Sequence, residues 1–383
     1  MRNIISNKYI RIDAIQIVAF LVTLHGLLFE SDFTRRPYIT YFKSVTILCI
    51  VIFWIIALIQ NKPYARNVVY LLIPCLVGYR TATKMYNENI IFLLLLMFLC
   101  RRDTIDKIIK VAYCTTKVFF WIHFFIFFVS RIVPIGVSDN FLIGEMGMRY
   151  YFFTTHPNTI ARIFIFYIAL SCFVYNLDLS IFKWLIIFTV TVVLYYLTKS
   201  DAVYLIFVCF LLSHLAENEK VDKMLTYATK YGIPFFLIFS LSLAWSLSIP
   251  FLYQFLKKLD LMMSYRLTSN LKALSLYSPT FLGQNSVFGK EFVYQGVTYN
   301  YIYADNMYIY TVLHWGIFYL LLMAILLFLT AEKLDFKSKM MIIVLLLYGI
   351  GENGVTPVYV SYSLLIAYSV LIKSESKKIS IHI

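Results

Sequence analysis

Arginine, histidine and carboxylate side chains recur where the long apolar runs of this sequence end. Arg149 precedes His156-Pro157-Asn158, and Arg162 follows one helical turn later, inside an apolar run. Further polar residues flank other apolar runs, namely Lys199, Asp305, Asn306, Tyr308 and Glu352, and Arg266 lies between two such runs, within 251–303. Arginine offers planar, permanently charged donors to phosphate oxygens, and a histidine or carboxylate can take a proton from a hydroxyl. These residue types predict chemistry on an anionic substrate with acid–base assistance.

Most of these residues also have a purely structural interpretation. Pro157 suits the first turn of a helix, and Asn158 or Asp305 can cap one. Residues 198–201 fit a tight turn between helices. Arg149 and Arg266 can extend to lipid headgroups.

Arg162 is harder to explain structurally, because an unpaired charge inside a membrane span costs at least about 2.5–3.5 kcal/mol. We therefore expect it to face a polar interior and to have a partner there.

Glu30-Ser31-Asp32 offers an acid-x-acid pair of the kind that binds a divalent cation in metal-using membrane glycosyltransferases, but such pairs are also common by chance. The sequence has no GxSxG, GxxxxGK[ST], HExxH or GxGxxG motif, which disfavours a nucleotide-using enzyme.

The elements that must position these residues are membrane helices. Of 383 residues, 61% are apolar and 14% are charged, against about 45–50% and about 25% in soluble globular proteins. The net charge of +14 accompanies 18% aromatic residues, which favours a bilayer over a nucleic acid as the partner. The six cysteines lie in or beside apolar runs without CxxC spacing, which is typical of small core residues.

A transmembrane helix needs about 20 mostly apolar residues, and this criterion predicts about twelve such helices. They centre on 12–29, 44–60, 66–80, 89–100, 111–133, 158–176, 181–198, 202–216, 231–250, 304–330, 338–350 and 355–372. With the N-terminus inside, 19 of the 34 Lys and Arg residues fall on inner segments and 13 on outer ones, so both termini are predicted to be cytoplasmic. We expect an all-α, polytopic integral membrane protein with one domain, 1–383. Residues 251–303 are expected to form a large extracytoplasmic loop whose short helices cap the outer face.

The ordered series of motifs resembles the Wzy-type O-antigen and capsular polysaccharide polymerases of the O-antigen ligase superfamily. The resemblance rests on Arg149 before His156-Pro157-Asn158, a Thr-x-Ser turn at 198–200, Arg266 and Phe281 to Gly289 in the long loop, and Asp305-Asn306-Met307-Tyr308 before Gly316. It covers roughly residues 145–320 and the hydropathy of the whole chain. Asp201 stands where the family often has Arg, and Asp305 stands where ligases typically have His, which favours a polymerase.

The resemblance implies a GT-C-like enzyme that joins polyprenyl-diphosphate-linked oligosaccharides at the outer face of the membrane and releases the lipid diphosphate. It implies diphosphate binding by Arg149, Arg162 and Arg266, helped by Lys199, and a base at Asp305 or His156. It also implies that Asn158, Asn306 and Tyr308 orient the groups of the site, with Glu352 as a further candidate. No metal or cofactor is implied, and flippase and chain-length regulator proteins are expected partners.

Other functions remain open at this point. A related membrane ligase would move the same kind of glycan to another acceptor. A metal-dependent lipid-linked glycosyltransferase would use Glu30 and Asp32. A lipid-glycan flippase would need charges along a path through the membrane and pseudo-repeats, neither of which is evident.

Overall fold

The computed structural model describes residues 13–32, 37–61, 70–72, 74–75, 89–133, 141–144, 147–263, 265–284, 286, 292–294, 297–299, 304–353 and 358–375. Most of these residues are helical. The first seven helices are α1 (Ala14–Phe29), α2 (Pro37–Asn61), α3 (Asn89–Leu99), α4 (Arg102–Ile132), α5 (Pro157–Val174), α6 (Ile181–Thr198) and α7 (Leu205–His214). They are followed by α8 (Glu219–Ser246), α9 (Pro250–Met262), α10 (Arg266–Leu276), α11 (Met307–Tyr310), α12 (Ile317–Thr330), α13 (Phe336–Gly351) and α14 (Val358–Glu375).

Two small antiparallel hairpins accompany the helices. Strands β1 (Phe141–Gly144) and β2 (Gly147–Tyr150) pair with Leu142 opposite Arg149. Strands β3 (Phe292–Tyr294) and β4 (Val297–Tyr299) form the second hairpin. The segment predicted as a long loop, 251–303, therefore contains most of α9, all of α10 and a hairpin.

Five helices in the described part of the chain are long and apolar enough to cross a membrane, and they lie within α2, α4, α5, α6 and α8. Four shorter apolar helices accompany them: Ala14–Phe29, Asn89–Leu99, Asp201–His214 and Val358–Ile372. The multi-pass helical character agrees with the prediction, whereas a total of twelve spans is not confirmed. Most of the predicted span at 66–80 lies outside the described residues.

The boundaries differ from prediction where polar residues extend a helix. Helix α6 has the predicted bounds, but α4 begins at Arg102 and α8 at Glu219, well before their apolar runs. Asn218 explains the early start of α8, because its side chain accepts the backbone N–H groups of Lys220 and Val221. Hydropathy finds the apolar part of a helix and misses a charged first turn.

The predicted span at 304–330 is interrupted. After α11, residues Thr311–Trp315 form a π-helical turn, and Gly316 then takes a φ of 97°. A Cβ at Gly316 would lie 2.3 Å from the backbone nitrogen of Gly283. Gly316 therefore permits close backbone contact, in which Ile317 N–H donates to Thr280 O at 3.0 Å and Gln284 N–H donates to His314 O at 3.1 Å.

Helix α5 is the most enclosed of the five long apolar helices. In its 18-residue apolar window 78% of the residues are buried, against 17% in that of α2. It packs against α4, α7 and α13. Because α5 lies inside the bundle, its N-terminal residues are presented to a protein interior rather than to lipid.

Charged side chains divide between the two ends of the bundle. At one end, termed the basic end, Lys339 contacts Asp222 at 2.8 Å, Lys107 contacts Asp13 at 3.4 Å and Lys337 donates to Asn176 at 2.7 Å. The opposite end, termed the site end, collects the C-terminal ends of α1, α6 and α13 and the N-terminal ends of α5 and α11. Nearly all the residues singled out in the sequence lie at the site end.

Candidate functional site

Glu352 is the acceptor that joins three parts of the chain at the site end. It follows α13, and its Oε1 accepts hydrogen bonds from Asn158 Nδ2 and from Arg266 Nη2, each at 2.8 Å. The starts of α5 and α10 and the end of α13 therefore meet at one carboxylate. Glu352 was the least expected of the site residues, and it lies at the centre of their hydrogen bonds.

Arg266 has a second anchor on α13. Its Nη1 donates to the carbonyl oxygen of Gly351. A Cβ at position 351 would lie 3.0 Å from that nitrogen, so a side chain there would crowd the guanidinium. Although burial acts to lower it, Glu352 and Asp305 hold the pKa of Arg266 above its ordinary value.

Arg149 enters the same network from β2. Its Nε donates to Thr198 O at 2.7 Å, and its Nη2 donates to Asn158 Oδ1. Lys199 takes a left-handed conformation, φ 51°, and ends α6 so that the carbonyl of Thr198 faces Arg149.

Arg149 differs from the other two site arginines in its partners. Among the described residues its hydrogen-bond acceptors are a carbonyl and an amide oxygen, and none is a carboxylate. Burial lowers the pKa of Arg149; Glu352 offsets part of that effect, and Arg266 adds to it. A half-buried guanidinium without a carboxylate on it is a position where an anion is favoured.

Arg162 has the partner that its position in α5 required. Its Nη2 lies 2.7 Å from Glu30 Oε2, and its Nε donates to Tyr359 Oη at 2.9 Å. The hydroxyls of Thr155 and Thr159 also donate to Glu30 Oε2, at 3.4 and 3.5 Å. One oxygen of Glu30 is thus shared among three donors.

His156 caps α5 and is held in one tautomer. Its Nδ1 accepts the backbone N–H of Asn158 at 3.2 Å, so the neutral imidazole carries its proton on Nε2. Although part of the ring is exposed, desolvation by the surrounding protein and the charges of Arg149, Arg162 and Arg266 lower the pKa of His156 to about 4. At neutral pH the ring is an uncharged donor.

Asp305 lies just before α11 and faces Arg266. The distance from Asp305 Oδ2 to Arg266 Nε is 3.9 Å. Burial and the negative charge of Glu352 raise the pKa of Asp305 to about 6, against the effect of Arg266. A carboxylate with this pKa is ionised at neutral pH and is a stronger base than an ordinary aspartate.

The structure places the remaining predicted residues in structural contacts. Asn306 caps α11, and its Nδ2 donates to Ser240 Oγ at 2.8 Å and to Ile350 O at 2.9 Å. The buried Tyr308 hydroxyl donates to Leu346 O at 2.7 Å. The Lys199 ammonium lies 4.5 Å from the centroid of the Tyr196 ring. Substrate binding by these three residues stays a prediction.

Asp260 is a positioning residue that the sequence analysis missed. Although it is buried, its Oδ1 accepts the backbone N–H groups of Leu267, at 2.7 Å, and Thr268, at 3.2 Å, and its Oδ2 accepts the Thr268 hydroxyl. These bonds begin α10 at Arg266. The sequence does show an acidic residue a short distance before an amphipathic helix. The capping contact spans a turn in which Tyr265 has a φ of 61°, and no local sequence motif describes such a cap.

Within the described residues no group of three or more His, Cys, Asp or Glu side chains is arranged to hold a metal ion. The site instead combines guanidinium groups with a neutral imidazole donor and a basic carboxylate. This set suits transfer from an anionic leaving group to a hydroxyl acceptor. Comparison with protein-family models, with curated proteins and with solved structures gives no match to this chain.

Proposed function

We propose that the protein is a membrane polysaccharide polymerase that transfers a glycan from a polyprenyl-diphosphate carrier to a sugar hydroxyl of a second lipid-linked repeat unit. The observation that carries the proposal is the guanidinium of Arg149, which has no carboxylate partner among the described residues and is joined through Asn158, Glu352 and Arg266 to Asp305. One continuous network thus contains an anion-binding group and a base. The order of motifs that resembles the Wzy-type polymerases supports the same function.

The leaving group is the lipid diphosphate. As the bond between the anomeric carbon and the diphosphate oxygen breaks, negative charge develops on that oxygen. Arg149 stabilises this charge directly, and the Nε2–H of His156 donates a further hydrogen bond. Arg266 adds its positive charge from beside the site, because Glu352, Gly351 and Asp305 already accept or face its donors. Arg162 is already paired with Glu30, so its main contribution is to hold α1 against α5 beside the site.

The acceptor is the hydroxyl of a second repeat unit. Asp305 takes its proton as the new bond forms between the acceptor oxygen and the anomeric carbon. Glu352 keeps Arg266 and Asn158 in place and leaves Asp305 as the carboxylate that changes protonation. The products are the lengthened glycan on its lipid and free polyprenyl diphosphate.

The proposed site faces the outer side of a bacterial cytoplasmic membrane, with both termini inside. The supporting observation is the separation of charge along the bundle: several lysines lie in ion pairs at the basic end, as cytoplasmic loops favour. Lipid-linked repeat units delivered by a flippase would reach this face, and a chain-length regulator would act on the product there.

The test is the length distribution of the polymer in cells that carry Arg149→Gln, Arg266→Ala or Asp305→Ala at normal protein levels. Each variant is expected to leave single repeat units in place of a ladder. Lys258→Gln, on the exposed side of α9, is the charge-matched control for Arg149→Gln and should give the wild-type ladder. Wild-type ladders in all three site variants would overturn the assignment, and accumulation of repeat units on the inner leaflet would indicate transport.

A further inference from the structure

A cavity with charged and aromatic side chains in its lining lies toward the basic end, away from the proposed reaction site. It lies among α4, α5 and α6 and has a volume of about 250 Å³. Its lining combines two lysines with aromatic rings: Lys117, Lys183, Tyr113, Tyr167, Tyr175 and Trp121. We call it the lysine–tyrosine cavity. Since a water molecule occupies about 30 Å³ in the liquid, the volume accommodates a phosphate group with part of a glycerol ester.

The two ammonium groups lie over adjoining rings. Lys183 Nζ is 4.1 Å from the centroid of Tyr175, and Lys117 Nζ is 5.9 Å from that of Tyr113. The rings of Tyr113 and Tyr175 meet edge to face at 5.9 Å, and their hydroxyl oxygens are 3.4 Å apart. The aromatic wall thus gathers two cations and two hydroxyl donors in one place.

Neither lysine is neutralised within the described residues. No carboxylate oxygen there lies within 4 Å of Lys117 Nζ or Lys183 Nζ, although Asp178 lies on the same turn as Tyr175. Lysines elsewhere at the basic end, such as Lys339 and Lys107, do have acidic partners. The cavity therefore carries two positive charges without a counter-ion from the described part of the protein.

The cavity is bordered by exposed apolar side chains of the kind that contact lipid in a membrane protein. Ile186, which lines it, is exposed, and exposed apolar side chains flank it on both long helices: Val118 and Ile122 on α4, and Phe182 and Leu185 on α6. An apolar rim of this kind suits acyl chains, and the side chains of Lys117 and Lys183 are themselves exposed beside it. A basic pocket between membrane helices near one face is the usual form of an anionic-lipid site.

We propose that the lysine–tyrosine cavity binds the phosphate headgroup of an anionic phospholipid from the leaflet at the basic end, with its acyl chains along α4 and α6. Lys117 and Lys183 pair with the phosphate. The hydroxyls of Tyr113 and Tyr175 share one hydrogen bond, so the one that accepts it donates its own proton to a phosphate oxygen. Trp121 packs beside the glycerol region. This site is separate from the proposed reaction site and does not depend on its function.

The experiment measures bound lipid on the full-length protein in nanodiscs of phosphatidylcholine with one-fifth phosphatidylglycerol. After extraction into mild detergent, native mass spectrometry is expected to show retained phosphatidylglycerol. Lys117→Gln/Lys183→Gln should reduce that retention about thirtyfold, since each of the two lysines near an anionic surface contributes about 1 kcal/mol. Lys220→Gln/Lys223→Gln, exposed at the start of α8 at the same end, is the matched control and should retain lipid as the wild type does.

A second measurement locates the lipid. Phosphatidylglycerol with brominated acyl chains should quench tryptophan fluorescence more than brominated phosphatidylcholine, and Trp121→Phe should remove the difference. Equal retention by both double variants and the wild type, or equal loss in both, would overturn the proposal. Displacement of the lipid by millimolar inorganic phosphate would show a free-anion site instead of a lipid site.

Discussion

Arg162 and Glu30 form an ion pair, with 2.7 Å between Nη2 and Oε2, that joins the end of α1 to the second turn of α5. Their side chains are only 13% and 16% exposed, so removing one charge leaves the other largely desolvated. The pair therefore fixes the helix that carries His156 and Asn158 against its neighbour.

Glu30→Gln is expected to lower the free energy of unfolding by about 3–5 kcal/mol, the cost of leaving a buried charge without its partner. Thermal unfolding in detergent measures the change. Lys107→Gln breaks the more exposed pair with Asp13 and should cost at most about 1 kcal/mol. Equal shifts for the two variants would contradict the structural importance of the buried pair.

Asp305 should give the transfer reaction its pH dependence. The folded pKa of about 6 lies above the ordinary value of 3.8, so the folded protein binds this proton more tightly than the unfolded chain does. The contribution of this proton to the free energy of unfolding is fully present below about pH 4 and is lost as the pH rises through about 6. Activity should change in the opposite sense, rising through pH 6 and levelling above pH 7, because the base must be ionised.

Asp305→Asn separates the two effects. It should abolish polymer formation in a reconstituted assay and leave stability at pH 7.5 equal to or above that of the wild type. A flat activity profile between pH 5 and 7, or a large loss of stability in Asp305→Asn, would rule out Asp305 as the base.

Substitutions at His156 distinguish the helix cap from the donor. Asn at this position can still accept the N–H of residue 158, since Asn is a preferred N-cap, but its amide cannot extend as far as Nε2. His156→Asn should therefore keep the wild-type melting temperature and lose about 100-fold in turnover, within the usual range for a positioned acid–base group. Unchanged turnover in this variant would limit His156 to the capping role.

Arg149→Lys tests whether the shape of the guanidinium is needed as well as its charge. Lys has three donors on a single nitrogen, so it cannot reproduce the separate Nε and Nη2 contacts with Thr198 O and Asn158 Oδ1 and also present a pair of donors to a phosphate. We expect at least a tenfold fall in kcat/KM for the lipid-linked donor. Wild-type kinetics would show that a positive charge alone is sufficient.

Asp260 should affect the reaction only through Arg266. Asp260→Asn keeps an oxygen for the backbone N–H groups of Leu267 and Thr268, whereas Asp260→Ala removes it. The Ala variant should lose about 1–2 kcal/mol of stability, as loss of a helix cap does, and should raise KM more than it lowers kcat. Similar behaviour of the two variants would mean that the cap does not position Arg266.

The sequence predicted those parts of the site that local pattern determines. Helix α6 has its predicted bounds. Arg149, Asn158 and Glu352 meet because each stands at the end of an apolar run on the same side of the bundle, and Arg266 joins them from the segment between two such runs. The partner of Arg162 was expected on energetic grounds, since a charge inside a span requires one.

Contacts between distant segments were beyond prediction. Nothing local to Glu30-Ser31-Asp32 shows that Glu30 faces Arg162, because the pairing depends on how α1 and α5 each pack against α4. Asp260 reaches the start of α10 across an irregular turn, and the π-helical turn at Thr311–Trp315 interrupts a run that hydropathy treats as continuous. These features follow from packing, which a single sequence does not specify.

The segment that carries Arg266 is attached at two places, and the close contact between Gly283 and Gly316 is one of them. Asp260 ties the start of α10, and the backbone hydrogen bonds of Thr280, Phe281 and Gln284 tie its far side to the beginning of α12. The segment is therefore held at both ends, so it is not free to rotate about one of them. The distance between Arg266 and Glu352 can therefore stay constant, and in the proposed polymerase each round of addition meets the same charge geometry as the one before.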